Sequence, residues 1–374
     1  MEDGQMIQIK STIVDTFFAI TGFLVFYFGY KASKTHGLKT IIALYITRWI
    51  RLMPAYMMVL ALIVNVVPYS AEGPQWKSAI YQAADNCKLN WWTNFLGINN
   101  LIGTDNTCTV HGWYLACDLQ LLAVAGLLSY VFSRNHTLGL ISTLATLIAS
   151  ILVPFYNIYS SGYTGIVRMH WDFLRDPAND VAMKNFYIQS YNRAGPYIIG
   201  MLSCYLVMMI RQNNWKLGMA KRWLILLGTT ALGVGYQFFG FILADPHREY
   251  HPLPHALWGS THRSIWGIWM MSVAVIQLGW GFGKTLDLVL THEVLTPLSR
   301  LTYMVYLIHP VWQMMIVFHN RAPQFLSILD FFQLCFGDIL MSYCLGLWLY
   351  CILDRPFGRI SNLLLAKVSK IILG

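Results

Sequence analysis

The sequence predicts an all-α, polytopic integral membrane protein. Hydrophobic residues make up 56% of the 374-residue chain, charged residues make up only 11%, and the mean hydropathy is +0.49. A soluble domain carries about a quarter charged residues, so a globular interior does not account for this composition. The net charge of +9 is concentrated in a few connections between apolar segments. That placement favours membrane sidedness over nucleic-acid binding, and no nucleic-acid partner is expected.

About nine apolar stretches are long enough to cross a bilayer, which takes on the order of 20 residues. Because the bilayer core offers no water to satisfy backbone groups, such segments must be helices or a closed barrel. Barrel strands alternate over about ten residues, which these unbroken runs do not do. The predicted transmembrane helices are 12–30, 41–67, 112–132, 138–158, 194–210, 223–243, 264–282, 298–318 and 331–353.

The distribution of lysine and arginine predicts the orientation of the chain. These residues cluster between the first and second spans, between the fifth and sixth, and after the last. Cytosolic loops carry such an excess, so the N-terminus is expected outside or in the lumen and the C-terminus in the cytosol. One membrane domain is predicted over residues 12–357. An amphipathic tail, 358–374, is expected to lie on the cytosolic surface.

Two cysteines lie in one loop that this orientation places outside. Cys87 and Cys108 both fall between the second and third spans. An oxidising compartment favours a disulfide between them, and the alternative is a pair of free thiols. A third outside loop, 244–263, contains four histidines. Pro252 and Pro254 interrupt the register that would align those histidines, and no acidic or cysteine ligand completes a set, so no metal is expected.

An arginine pair lies in the cytosolic half of the second span. Ionisable residues within a membrane are functional hypotheses by default. Arg48 and Arg51 are three residues apart, which places both guanidinium groups on one helix face. Two permanently charged, forked donors suit a polyphosphate better than a single carboxylate. The alternative is that both side chains extend to the headgroups or pair with anionic lipid.

Two aspartates belong to the outer ends of their spans. Asp15 either caps its helix or orients a polar group on a neighbouring helix. Asp118 lies about two turns into the third span and requires a partner, for which Arg193 is one candidate. A structural Asp–Arg pair and a catalytic carboxylate both remain open for Asp118.

Two histidines are the remaining candidates. His111 opens the third span among aromatic residues, where interfacial anchoring is the ordinary role. His309 lies within the eighth span directly before Pro310. That proline frees a backbone carbonyl, which a histidine N–H could satisfy, and a proton-transfer role is the alternative.

Six blocks carry a family resemblance, in this order: VDTFFAITGFL, RWIRLMPAY, CKLNWWTNFLGINN, HGWYLACDLQ, RAGPYIIGML and LSRLTYMVYLIHPVW. Together they resemble the acyltransferase type 3 family, in its animal nose-resistant-to-fluoxetine branch, from about residue 13 to 357. The resemblance implies a membrane O-acyltransferase fold that uses cytosolic acyl-CoA. It associates Arg48 and Arg51 with acyl-CoA and makes Asp15 part of a family block.

One departure from the family pattern concerns catalysis. Family members begin with a further span that carries an arginine and then a histidine, the presumed general base, and the animal branch adds a cysteine-bearing extracellular domain. The residues before Thr12 contain neither. The expectation is therefore a truncated product, a partial gene model, or a member that has lost the chemistry.

The leading functional prediction is a membrane O-acyltransferase-like protein, inactive or truncated as written, that moves an acyl group from acyl-CoA to a hydroxyl acceptor. Whether the chain is an enzyme stays open. The acceptor is a lipid, sterol, sugar or protein, and the compartment is the endoplasmic reticulum or the plasma membrane. The alternative is a lipid or small-molecule transporter, or a non-catalytic membrane scaffold. The candidate catalytic residues are Asp15, His111, Asp118 and His309.

Overall fold

The computed structural model describes residues 12–103, 106–162, 164–166, 180–245, 247, 249–283, 288–289, 291–322 and 327–361. Over these residues the chain is all-α and contains no strand. Short 3₁₀ and π turns join the longer helices. In chain order the described α-helices are α1 Thr12–His36, α2 Lys39–Asn65, α3 Gln82–Leu96, α4 Trp113–Arg134, α5 His136–Ser161, α6 Ala194–Gln212, α7 Met219–Ala244, α8 Pro252–Gly279, α9 Leu295–His319 and α10 Ile328–Leu349.

Eight of the helices within the described ranges are long and apolar enough to cross a membrane. They coincide with eight of the predicted spans, and α8 covers most of the other one, 264–282. The all-α, polytopic membrane fold predicted from composition is therefore confirmed. Of the predicted cytosolic tail, 358–374, only residues 358–361 are described, and these four are helical.

Helix α8 begins earlier than the sequence predicts. Pro252 occupies its first turn, where a proline has no hydrogen bond to lose and its fixed φ suits the helix. The loop predicted over 244–263 is therefore wrong in its second half. His255, His262 and Arg263 are buried on a helix instead of lying in a connection.

The described chain forms two compact units. Unit 1 contains 12–45 and 114–289, and unit 2 contains 46–113 and 291–361. In unit 1, α6 packs against α1 and α8, and α8 also contacts α5 and α7. Gly22 and Gly200 allow α1 and α6 to approach closely, because a Cβ at either position would overlap a backbone carbonyl of the other helix. Small residues serve this purpose in membrane helix packing.

Unit 2 is built on the pairing of α9 with α10. Gly346 of α10 lies directly against Val305 of α9. The N-terminal half of α10 is apolar and open: Phe331, Phe332 and Phe336 are 54%, 65% and 71% exposed. Exposed apolar surface of this kind suits contact with lipid. The predicted disulfide between Cys87 and Cys108 is confirmed in the segment that precedes α4.

Candidate functional site

Two histidines meet in unit 2. His111 lies in the 3₁₀ turn Val110–Gly112, directly before α4, and His309 lies on α9. Their ring centroids are 6.4 Å apart. Tyr306 lies beside both rings, at 5.7 Å from His111 and 6.0 Å from His309. Its hydroxyl donates to the backbone carbonyl of His111 at 2.5 Å. The structure thus brings together two candidates that are far apart in sequence.

The hydrogen bond of His309 defines its tautomer. Its Nδ1 lies 3.1 Å from the backbone oxygen of Val305. A carbonyl can only accept, so in the neutral ring Nδ1 carries the proton and Nε2 carries the lone pair. The carbonyl that Pro310 releases is that of Tyr306, one residue further on. The His309 ring therefore bonds the Val305 carbonyl and not the Tyr306 carbonyl that the proline frees.

His111 presents an unsatisfied nitrogen. Its Nε2 is buried and has no hydrogen-bond partner, although the ring interacts with the backbone of Leu307. Buried polar atoms without a partner are rare and require an explanation. A site that receives a hydrogen-bonding ligand is one explanation. The aromatic-belt role expected for His111 does not account for this buried nitrogen.

The turn that carries His111 is held from three directions. The Tyr56 hydroxyl donates to Asn94 Oδ1 at 2.7 Å and lies 3.5 Å from Thr109 Oγ1. Gly112 leaves no space for a Cβ, which would overlap the Tyr56 hydroxyl. The Cys87–Cys108 disulfide ties the same segment to α3. These contacts limit the movement of His111, which is a requirement for a precisely positioned group.

The arginine pair lies on α2 in the same unit. Arg48 is half-buried and Arg51 is exposed. Arg51 interacts electrostatically with Asp354, in the π turn that follows α10. The Tyr303 hydroxyl donates to the Leu52 carbonyl at 2.7 Å, so the arginine segment is fixed to α9. Tyr303 is six residues from His309, roughly 9 Å along the helix.

Asp15 belongs to a buried ionic cluster in unit 1. Both oxygens of its carboxylate accept from Arg193 Nη1, at 2.9 and 3.1 Å. Arg193 also donates from Nε and Nη2 to the Tyr187 carbonyl, at 3.1 and 2.9 Å. Arg263 Nε lies 3.8 Å from the same carboxylate. Asp15 and Arg193 are completely buried, so the carboxylate pairs with a group outside its own helix.

The surroundings of Arg193 keep it charged. Burial alone would lower its pKa, but the Asp15 carboxylate and Tyr187 outweigh that effect and raise the pKa. The guanidinium group also lies 4.4 Å from the Tyr187 ring centroid. A cation with this many partners is typical of a structural pair.

Asp118 is also completely buried, on α4 in unit 1. Its neighbours fix the segment before α6: the Cys117 thiol donates to the Ile188 carbonyl at 3.2 Å, and Gln120 Oε1 accepts from the Ser190 hydroxyl at 2.5 Å. Arg193, the partner that the sequence proposes for Asp118, donates to Asp15 in the contacts described above. The catalytic role of Asp118 stays a prediction.

Sequence reasoning missed two residues of these clusters. The prolines before Arg263 favour a loop in the sequence, although proline at a helix start is a recognised signal. Tyr306 is one of many aromatic residues in its span, and no local pattern distinguishes it. Only the pairing of α9 with the turn before α4 reveals its contact with His111.

Comparisons with known proteins agree over most of the chain. The model of the acyltransferase type 3 family, described as an acyltransferase domain, matches residues 3–347. The nose resistant to fluoxetine protein 6 of Caenorhabditis elegans is 26% identical over 390 residues, covering 96% of this chain and 46% of that protein. The regulator of hypoxia-inducible factor 1 of the same organism is 26% identical over 108 residues, covering 27% and 22%. This chain thus spans less than half the length of these relatives. No solved structure gives a significant match.

Proposed function

The chain belongs to the acyltransferase type 3 family, and from this premise we propose that it transfers an acyl group from acyl-CoA to a hydroxyl acceptor, with His309 as the general base. The observation that carries the proposal is the His309 tautomer. Nδ1 is occupied by the Val305 carbonyl, which leaves Nε2 as the proton acceptor beside His111. The resemblance associates this chemistry with a histidine in a preceding span, and the pair in unit 2 is the alternative source of a base.

The proposed reaction is a single acyl transfer. His309 Nε2 removes the proton from the acceptor hydroxyl, whose oxygen attacks the thioester carbonyl carbon. The carbon–sulfur bond then breaks, and the departing thiolate takes the proton from the imidazolium ring. The products are an ester and free CoA, and both histidines end in their starting state.

His111 has a positioning role in this scheme. Its buried Nε2 lacks a partner in the protein, and a substrate hydroxyl would supply one. A proton held on His309 disfavours a second proton on a neighbouring imidazole. The reaction therefore places one additional proton on the pair, which His309 takes from the hydroxyl and returns to the thiolate.

Arg48 and Arg51 are proposed to hold the phosphates of acyl-CoA, as the sequence predicts. Leu52 and Tyr303 fix their segment to α9, the helix that also carries His309. The Asp354 carboxylate interacts electrostatically with Arg51 in this structure and would compete with a phosphate for it. We propose that the arginine segment of α2 lies on the cytosolic side and that the protein resides in the endoplasmic reticulum or plasma membrane. A membrane lipid is the acceptor class that we propose.

The test uses the full chain in phosphatidylcholine nanodiscs. Binding of a long-chain acyl-CoA and release of free CoA are measured separately for the wild type, His309→Gln and the pair Arg48→Gln/Arg51→Gln. We expect His309→Gln to bind acyl-CoA normally and to release CoA roughly 10²–10⁴-fold more slowly. The arginine variant should lose binding. His319→Gln is the matched control, since it makes the same change at the exposed end of α9.

Three outcomes separate the candidate functions. Equal CoA release by wild type and His309→Gln removes His309 from the chemistry. Unchanged acyl-CoA binding by the arginine variant, together with lost solute uptake into proteoliposomes, would support the transporter. No effect of any substitution on either measurement would support a scaffold.

A further inference from the structure

A cleft of about 430 Å³ opens in unit 1, at the end of α5. One wall comes from the last turns of α5, and the other comes from residues 185–191, which run from the π turn Met183–Tyr187 into the 3₁₀ turn Ser190–Asn192. Its volume lies within the range of small-molecule sites. The cleft is lined by Asn157, Ile158, Ser161, Asn185, Phe186, Gln189 and Tyr191.

The lining is polar but uncharged. Three of its seven side chains are amides, two carry hydroxyls and two are apolar. Each amide both donates and accepts hydrogen bonds, which matches a ligand whose own groups do the same. Such a lining offers no charge to a phosphate, a carboxylate or an ammonium group. Neighbouring hydroxyl groups on a neutral ring fit this chemistry.

The floor of the cleft is rigid and partly apolar. Ile158 and Phe186 belong to a buried cluster with Ala256. The Phe186 ring is also held from behind by Arg263, whose guanidinium carbon lies 4.7 Å from its centroid. An aromatic and aliphatic floor of this size can cover the C–H face of a small ring. Two apolar side chains do not provide the continuous groove that an acyl chain would need.

The polar wall is organised before any ligand arrives. The Tyr191 hydroxyl donates to the Asn185 carbonyl at 3.1 Å and is bonded to the Asn157 side chain. Gln189 Nε2 donates to the Lys184 carbonyl at 2.9 Å. These bonds fix the side chains of Tyr191, Asn157 and Gln189, so binding does not have to order them.

We propose that this cleft binds a neutral polyhydroxylated ring, either a free saccharide or cyclitol or the neutral sugar headgroup of a membrane lipid. The cleft lies in unit 1 and the proposed catalytic histidines lie in unit 2. The proposal therefore does not depend on acyl transfer, and its failure would leave that function untouched.

The experiment measures binding to the full chain in phosphatidylcholine nanodiscs prepared without maltoside detergents, whose headgroups would compete. Saturation-transfer NMR is recorded with glucose, galactose, N-acetylglucosamine and myo-inositol. A second arm uses nanodiscs that contain glucosylceramide or galactosylceramide. Saturable binding in the first arm identifies a free ligand, and binding only in the second identifies a lipid headgroup. Either result supports the proposal, and no saturable binding in both arms overturns it.

Two variants locate the binding. Asn157→Asp replaces a neutral donor and acceptor with a charged acceptor and should weaken binding roughly 10-fold. Tyr191→Phe removes one hydroxyl of the wall and should weaken it less. Asn65→Asp is the matched control, because Asn65 is an exposed asparagine on α2. Equal binding by all three variants and wild type places the ligand elsewhere and overturns the proposal.

Discussion

The completely buried Asp15–Arg193 pair of unit 1 and the half-buried His111–His309 pair of unit 2 differ in how completely their own groups are satisfied. In unit 1, Asp15 accepts two hydrogen bonds from Arg193, which gives its other donors to the Tyr187 carbonyl. In unit 2, His111 keeps a buried nitrogen without a partner, and His309 uses one nitrogen and keeps a lone pair on the other. The first pair holds opposite charges in place, and the second leaves ring nitrogens that a ligand can bond.

This difference separates two reasons for an ionisable residue in a membrane protein. Burying a charge there costs free energy, and the attraction and hydrogen bonds within an ion pair offset part of that cost. Leaving a neutral imidazole incompletely hydrogen-bonded costs less free energy than leaving a charge so. The pKa range of imidazole also suits proton transfer. Asp15 is therefore expected to support the fold and His309 to support the reaction.

The largest expected effect comes from Arg193→Leu. Leaving the Asp15 carboxylate buried without its main partner should lower the free energy of unfolding by about 3–5 kcal/mol. Thermal unfolding in nanodiscs measures this loss. The double variant Asp15→Leu/Arg193→Leu should recover part of the stability, because no carboxylate is then left uncompensated. If Arg193→Leu is as stable as wild type and only loses activity, the Asp15–Arg193 pair does not have the structural role that distinguishes it from the histidine pair.

Removing the disulfide tests how His111 is positioned. Cys87→Ser/Cys108→Ser opens a link between residues 21 apart and should lower the free energy of unfolding by about 3 kcal/mol. CoA release should also slow, because the turn that carries His111 loses one of its supports. Cys344→Ser, a change at an exposed free thiol on α10, is the control for both measurements. Unchanged CoA release would show that the Tyr56 contacts position His111 without the disulfide.

A glycine substitution perturbs unit 1 without touching any charge. In Gly200→Ala the new methyl group would overlap the Ala19 carbonyl, so α1 and α6 must separate at a loss of about 1–3 kcal/mol. Gly228→Ala is the matched control on α7, where a Cβ meets open space, and it should not destabilise the protein. Equal unfolding temperatures for the two variants would contradict the close approach of α1 and α6.

The smallest effect is expected from Asp354→Asn in unit 2. If Asp354 competes with phosphate for Arg51, its neutralisation should tighten acyl-CoA binding about two- to fivefold, the range of a partly exposed ion pair. The dissociation constant in nanodiscs measures it. Asp338→Asn on α10 is the control. Weaker binding by Asp354→Asn would mean that the carboxylate orients Arg51 for its ligand.

Much of the architecture could be predicted because it depends on local properties. Span length and apolar composition predict a helix regardless of what packs against it. The eight membrane-length helices and the Cys87–Cys108 disulfide follow from such signals. The early start of α8 does not follow from the sequence, because a proline indicates a helix break unless it is known to lie in the first turn.

The sequence by itself determined the membrane fold class, the family, and the short set of ionisable residues that require an explanation. Only the tertiary structure decided their partners. Asp15 and Arg193 are separated by 178 residues, and His111 and His309 meet only because α9 packs beside the turn before α4. Hydropathy is a property of each segment, whereas a hydrogen bond depends on the relative position and rotation of two segments, which no local pattern contains.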